Sequence, residues 1–234
     1  MDGPSQFMAR KKVTTMSTRS GLRRIAVIGA VLATTAAVGS PAYAAAEIQD
    51  GSANVGKVNV TSGETTTSSG DLALCDVDPE TPTPDKATAQ AKTYGTIAKF
   101  GKGTTECKKV GEDNVVKMSG TKFELTALKQ YGYTKITRVG TYSAECTSTP
   151  NGTSGKFSLG GVSGLEIPNP MPAGHMIPLK NNKGELLARV FFNEVTKDQG
   201  AIRLNVMRVA FPPAGVTPLR GSIIVGSVEC RPSF

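Results

Sequence analysis

The chain has 234 residues, 38% of them hydrophobic, with no Trp, a single His and a formal net charge of +8. That length and apolar fraction suit one globular domain with a real core. The charge does not point to a nucleic-acid partner. Six of the 27 Lys and Arg lie in the first 44 residues, leaving 21 basic against 18 acidic residues from Ala45 onward, a near balance that predicts no nucleic-acid footprint.

Arg19, Arg23 and Arg24 lead into Ile25–Val38, fourteen residues without a charge, and Ala42-Tyr43-Ala44 follows. A basic start, a short apolar stretch and an A-x-A end predict a secretory signal peptide over 1–44, cleaved after Ala44. The apolar stretch is shorter than the roughly 20 residues that span a bilayer. Met16 offers a second start, so the first fifteen residues read as an over-long one. Arg23-Arg24 follow Gly21-Leu22 without the Ser or Thr of a twin-arginine signal, which favours the general secretory route. No Cys lies near the cleavage site and no hydrophobic tail follows Cys230. The expected product is a secreted protein with no transmembrane anchor after cleavage, extracellular or associated with the cell surface.

Four cysteines, Cys75, Cys107, Cys146 and Cys230, all fall after the signal segment. An even number in an exported chain predicts two disulfides. No C-x-x-C pair is present to suggest metal binding or redox chemistry. Three connectivities are open. The favoured one is Cys75–Cys107 with Cys146–Cys230, because each bridge then closes within its own half of the chain.

Residues 45–70 are rich in Gly, Ser and Thr. They read as a flexible lead segment with one short strand hinted at by Val55, Val58 and Val60. The sandwich domain is placed at 71–234. Pro79, Pro82 and Pro84 make Asp78–Asp85 an extended connector. Ala87–Lys92 reads as the start of a short helix. Thr93–Phe100 reads as a strand that offers Tyr94, Ile97 and Phe100 to a core.

From Asn114 onward the pattern is β. Val115–Met118 reads as a strand ending at Ser119-Gly120. Phe123, Leu125 and Ala127 alternate with polar residues as a half-buried strand. Gln130-Tyr131-Gly132 is a turn. Ile136–Ser143 forms a long strand with a register change near Gly140, in the manner of a bulge. Asn151-Gly152 is a turn, and Phe157 and Leu159 lie in a short strand. The four prolines of Ile167–Pro178 mark a surface connector or an edge strand. Val190 and Phe192 face one way in Leu186–Val195. Ile202, Leu204 and Val206 alternate with polar residues before the phase shifts towards Val209 and Phe211, and Ile223–Cys230 closes the chain. Many short strands with Gly and Pro punctuation predict an all-β fold, an antiparallel β-sandwich or a barrel-like variant of it.

The chemistry on offer is sparse. His175 sits in a Pro-rich stretch without a G-x-S-x-G elbow, so it reads as a surface or packing residue. No metal or cofactor is expected. Glu124, Glu145, Glu166, Glu185, Glu194 and Glu229 are the carboxylates from which a glycosidase-like pair would be drawn. Tyr131 and Tyr133, two apart, would face the same side of an extended segment and make a small binding patch.

The stretch Val190-Phe191-Phe192-Asn193-Glu194, then Ile202–Val209, then Gly221–Cys230 resembles the C-terminal signature of the choice-of-anchor P proteins, secreted or surface-attached proteins of actinobacteria. Cys146 and the Gly-rich Asn151–Gly161 are similar to the segment upstream of it. The resemblance covers roughly Thr137–Cys230, with Val195 where the family pattern has Gln. It implies an extracellular β-rich domain without established catalysis. Its polar motif residues are Asn193 and Glu194, for which a structural role at a hairpin end is expected. The resulting expectation is a non-catalytic binding protein whose partner is an envelope component or another protein. The alternatives are a secreted carboxylate-dependent hydrolase and an extracellular protease inhibitor with Ile167–Pro178 as its bait.

Overall fold

The computed structural model describes residues 50–77, 85–198 and 201–232. The expected signal peptide over 1–44, and all of the Asp78–Asp85 connector but its last residue, lie outside the described residues. The strands are β1 (Gly51–Ser62), β2 (Thr65–Leu72), β3 (Cys75–Asp76), β4 (Asp85–Ala89), β5 (Lys92–Tyr94), β6 (Ala98–Phe100) and β7 (Gly103–Val110). They continue as β8 (Asp113–Leu125), β9 (Thr137–Thr149), β10 (Gly152–Gly160), β11 (His175–Lys180), β12 (Leu186–Asp198), β13 (Ala201–Phe211) and β14 (Leu219–Cys230). The helical element among the described residues is a 3-10 turn, Lys129–Tyr131.

The strands form two open, antiparallel, seven-stranded sheets. The first runs β11-β12-β13-β14-β1-β2, with β3 also on β1. The second runs β10-β9-β8 and then divides: β8 pairs with β7 over most of its length and with β6 at its end, β7 carrying β4 and β6 carrying β5. β1 and β14 pack over β7, β8 and β9. One apolar cluster fills the space between, built from Val55, Val58, Phe100, Val116, Phe123, Phe192 and Val225 among others. The fold is the expected β-sandwich, in its open rather than its barrel form.

Three sequence expectations need correction. Residues 51–62 are not part of a flexible lead: β1 is an interior strand between β14 and β2, in register from Gly51↔Cys230 to Ser62↔Leu219. Its Ser52 and Thr61 lie on the outer face, whereas Gly51 and Gly56 are buried, with Val116 and Phe100 of the other sheet where a Cβ would go. The helix at Ala87–Lys92 is replaced by β4 and β5, edge strands whose Thr and Lys face solvent. Ser119-Gly120 does not end a strand either, since β8 runs through it. Gly120 is tolerated there because the ring of Tyr142, its β9 partner, lies where a Cβ would go.

A transverse crease in each sheet explains the first and the third of these. In the first sheet, Val55 and Gly56, Val206 and Met207, and Val225 and Gly226 are adjacent buried residues. Asn193 (φ 49°) and Gly226 (φ 72°) take left-handed backbone there. In the second sheet the inward phase moves from Gly120 to Phe123 and from Val139 to Tyr142, with Lys122 at φ 54° and Gly161 at φ 64° in line. The register is unbroken across both creases, since Thr121↔Thr141 continues as Phe123↔Val139 and Phe192↔Met207 as Glu194↔Asn205. The expected register change near Gly140 is thus a change of phase shared by neighbouring strands, with no slip between them.

Tyr142 stands at the centre of the core. Its hydroxyl is buried without a hydrogen-bond partner, and burial pushes its pKa well above that of an ordinary tyrosine. An unpaired buried hydroxyl is a net penalty. Tyr142→Phe is therefore expected to hold or raise stability, by up to about 1 kcal/mol in a urea melt; a clear loss would show that the hydroxyl is bonded.

Both disulfides join one sheet to the other. Cys75 on β3 bonds Cys107 on β7, with Cα atoms 5.7 Å apart. Cys146 on β9 bonds Cys230 on β14, with Cα atoms 6.0 Å apart. This is the favoured pairing. The second bridge links interior strands of the two sheets.

Candidate binding surfaces on the two sheet faces

Glu194 and its neighbours occupy the outer face of the first sheet, at the crease. Because Val206 and Met207 both turn inward, Asn205 and Arg208 emerge on the same outer face, flanking Glu194 from the next strand. The Arg208 Nε–H donates to Glu194 Oε2 at 2.8 Å and its Nη2 to Oε1. Asn205 Nδ2 donates to Oε2 at 2.9 Å. The guanidinium lies 4.5 Å from the centre of the Phe191 ring, its cross-strand neighbour, an arrangement that favours the cation electrostatically. The hydrogen bonds from Arg208 hold the Glu194 carboxyl below the usual carboxylate range despite partial burial.

Asn193 therefore does not sit at a hairpin end. It is mid-strand, left-handed as Asn tolerates, and its carbonyl accepts the Gly174 N–H at 2.8 Å. Asn193 and Glu194 together build the crease.

The tyrosine pair does not form the expected patch. Tyr131 ends the 3-10 turn and Gly132 follows at φ 82°, so the segment is not extended and the two rings do not share a strand face. Both pack partly against the core. The Tyr133 hydroxyl donates to Gly164 O at 3.3 Å. Tyr133 alone lines a groove of about 500 Å³, with Lys135, Glu166, Lys180 and Asn182.

The outer face of the second sheet is a ladder that sequence reading missed. Across β4, β7, β8, β9 and β10 the in-register row is Lys86, Glu106, Lys117, Glu145, Lys156. Its ion pairs measure 3.1–3.4 Å. The next row is Thr88, Thr104, Ser119, Ser143, Ser158, five hydroxyls on five strands. The two rows line a shallow basin of about 490 Å³. Alternation along each strand signals an outward polar face, but only the register reveals that the charges alternate across it.

The candidate carboxylates are largely neutralised. Glu124 is shared by Lys99 and Arg138, Glu145 by Lys117 and Lys156, and Glu229 by Arg203 and Arg231. Glu185 accepts Asn181 Nδ2 at 2.7 Å. His175 opens β11 opposite Phe192, away from these pairs. The large apolar side chains that are exposed, Leu74, Val110, Met176, Val195 and Val216, are scattered over different elements. Among the described residues no group of His, Cys, Asp and Glu could hold a metal, and no helix is long and apolar enough to cross a membrane.

Glu194 and Glu124 give the fold an acid limit. Hydrogen bonds from Arg208 and Arg138, respectively, lower their proton affinity relative to the unfolded chain, where the carboxyl value is 4.5. Stability is therefore full above about pH 5 and declines as pH falls through the lower folded values. Glu194→Gln is expected to reduce stability at neutral pH and to flatten part of that acid decline. Urea melts from about pH 7 to about pH 3 read both effects, and an unchanged slope would mean that the Glu194–Arg208 pair contributes nothing.

Fold and surface together define a disulfide-stapled β-sandwich with two polar sheet faces. No protein-family model, no curated protein and no solved structure matches the chain.

Proposed function

We propose that this is a secreted, non-catalytic binding protein of the bacterial envelope that meets its partner through polar sheet faces. The observation that carries this reading is the pairing of the strand carboxylates with cations. A glycosidase acid must be held protonated near neutral pH, whereas Glu106, Glu124 and Glu194 are all pushed the other way by their cations. The inhibitor reading is weakened by Ile167–Pro178 itself. Its last residues are β11 strand, and Ile167 and Met171 pack against the core instead of standing free as bait. The two cross-sheet disulfides suit an oxidising compartment, and the resemblance to choice-of-anchor P proteins points the same way.

The test sediments the chain from Ala45 onward with isolated cell walls and, in parallel, offers it a panel of wall-polymer and peptide substrates. Sedimentation with the walls and no product is the expected result. Product release without wall binding would overturn the proposal.

A further inference from the structure

On the first sheet's outer face Arg208, Arg203 and Lys57 pair with Glu194, Glu229 and Asp71, while the exposed Arg189 is in no ion pair among the described residues. On the second sheet's outer face, beyond the hydroxyl row, lies a row Lys99–Glu124–Arg138 in cross-strand register. Lys102, Lys122 and Lys129 stand around it, all exposed and none in an ion pair among the described residues. Five cations thus surround one acid, and that acid is already shared by two of them.

Two recesses flank this row. One, of about 310 Å³, runs along the crease between Lys122 and Arg138 and includes Ser163. The other, of about 540 Å³, lies between Lys99 and Lys129, with Thr96, Thr126 and Gln130 in its lining. Lys122 is held on the outer side at φ 54°, a left-handed conformation that Gly or Asn would occupy at lower energy than Lys. A lysine kept there supplies a charge that neither of those residues could.

We propose that these two recesses and the cationic row between them bind an anionic glycopolymer, a polysaccharide bearing phosphodiester or carboxylate groups. This rests on the envelope-binding reading and names its ligand class. Paired cations on either side of Glu124 match charges repeated along a chain. The hydroxyl and amide lining matches sugar hydroxyls. The lining of both recesses offers no Tyr and only the buried Phe123 among aromatic residues, so exposed bases would find no stacking platform. The lining thus favours a polyanion of sugars over a single-stranded nucleic acid, and duplex DNA, bound through its phosphates, is one arm of the test.

The experiment measures binding of the chain from Ala45 onward, which holds the whole sandwich, to poly(glycerol phosphate), polygalacturonate, neutral dextran and duplex DNA. The variant is Lys102→Glu/Lys122→Asn/Lys129→Glu, and the control is Lys183→Glu/Lys197→Glu elsewhere on the surface. Circular dichroism confirms that each is folded. One or both anionic polysaccharides should bind, more weakly as salt rises, with the triple variant about tenfold weaker or worse and the control within about twofold. Dextran should not bind, and DNA should bind more weakly than the glycan. The phosphate and uronate arms identify the acidic group. Equal binding by the triple variant, or DNA binding as tight as the glycan's, overturns the proposal. So does failure of both polymers: if the chain still sediments with walls, only the ligand class is wrong, and if it does not, the envelope reading fails as well.

Discussion

Replacing Cys146 and Cys230 together with alanine lowers the unfolding free energy by about 3–5 kcal/mol. The bridge closes a separation of 84 residues, against 32 for Cys75–Cys107. In the chain-entropy account the longer closure stabilises by about 1 kcal/mol more. The two loops do not overlap in sequence, so their contributions add to a first approximation. The longer bridge also ties β9 to β14, interior strands on opposite sheets, and its loss loosens the contact that aligns them. Denaturant melts of the two double-alanine variants decide the matter. A larger loss from removing Cys75 and Cys107 would show that local packing outweighs loop closure here.

Gly120→Ala should destabilise by about 1–2 kcal/mol net, although alanine is the better residue on chain entropy alone. Removing a glycine from the unfolded chain is worth about 0.4–1 kcal/mol where the native backbone accepts alanine. Against that, the new methyl meets the Tyr142 ring head-on, and overpacking of this kind typically costs about 1–3 kcal/mol. The ring has nowhere to retreat. From the opposite sheet Gly226 approaches it, and a Cβ placed there would stand 3.1 Å from Tyr142 Cδ2 and 2.9 Å from Met118 Cε. Overlap therefore wins over entropy. In a Tyr142→Ala background the space is open, and the same Gly120→Ala change should be nearly harmless. A double-mutant cycle should return a coupling above about 1 kcal/mol; simple additivity would mean that the ring does not constrain Gly120.

Much of the fold is legible in the chain wherever period two holds. Phe123 and Leu125, or Ile202 and Leu204, alternate with polar residues, and their strands are where that alternation places them. The reading fails where the creases put two inward residues side by side. Val55-Gly56 breaks the alternation of β1, so an interior strand of 12 residues reads only as one short strand in a flexible lead. Gly120 looks like a stop because the ring that covers it comes from a strand 22 positions away. The surface chemistry was harder still. Arg208 meets Glu194 from 14 positions away, and Lys117 meets Glu145 only through register. Local sequence encodes which residues face out. Which of them become neighbours depends on strand pairing that no local window contains.

The pairing of β1 with β14 has a consequence for the order in which the protein is made. Gly51 lies opposite Cys230, so the first and last of the described strands complete one sheet together. A chain synthesised from its N-terminus cannot close that sheet until Leu219–Cys230 has emerged, and such long-range pairing is intrinsically slow. A nascent or truncated chain would present β1 with one side unpaired.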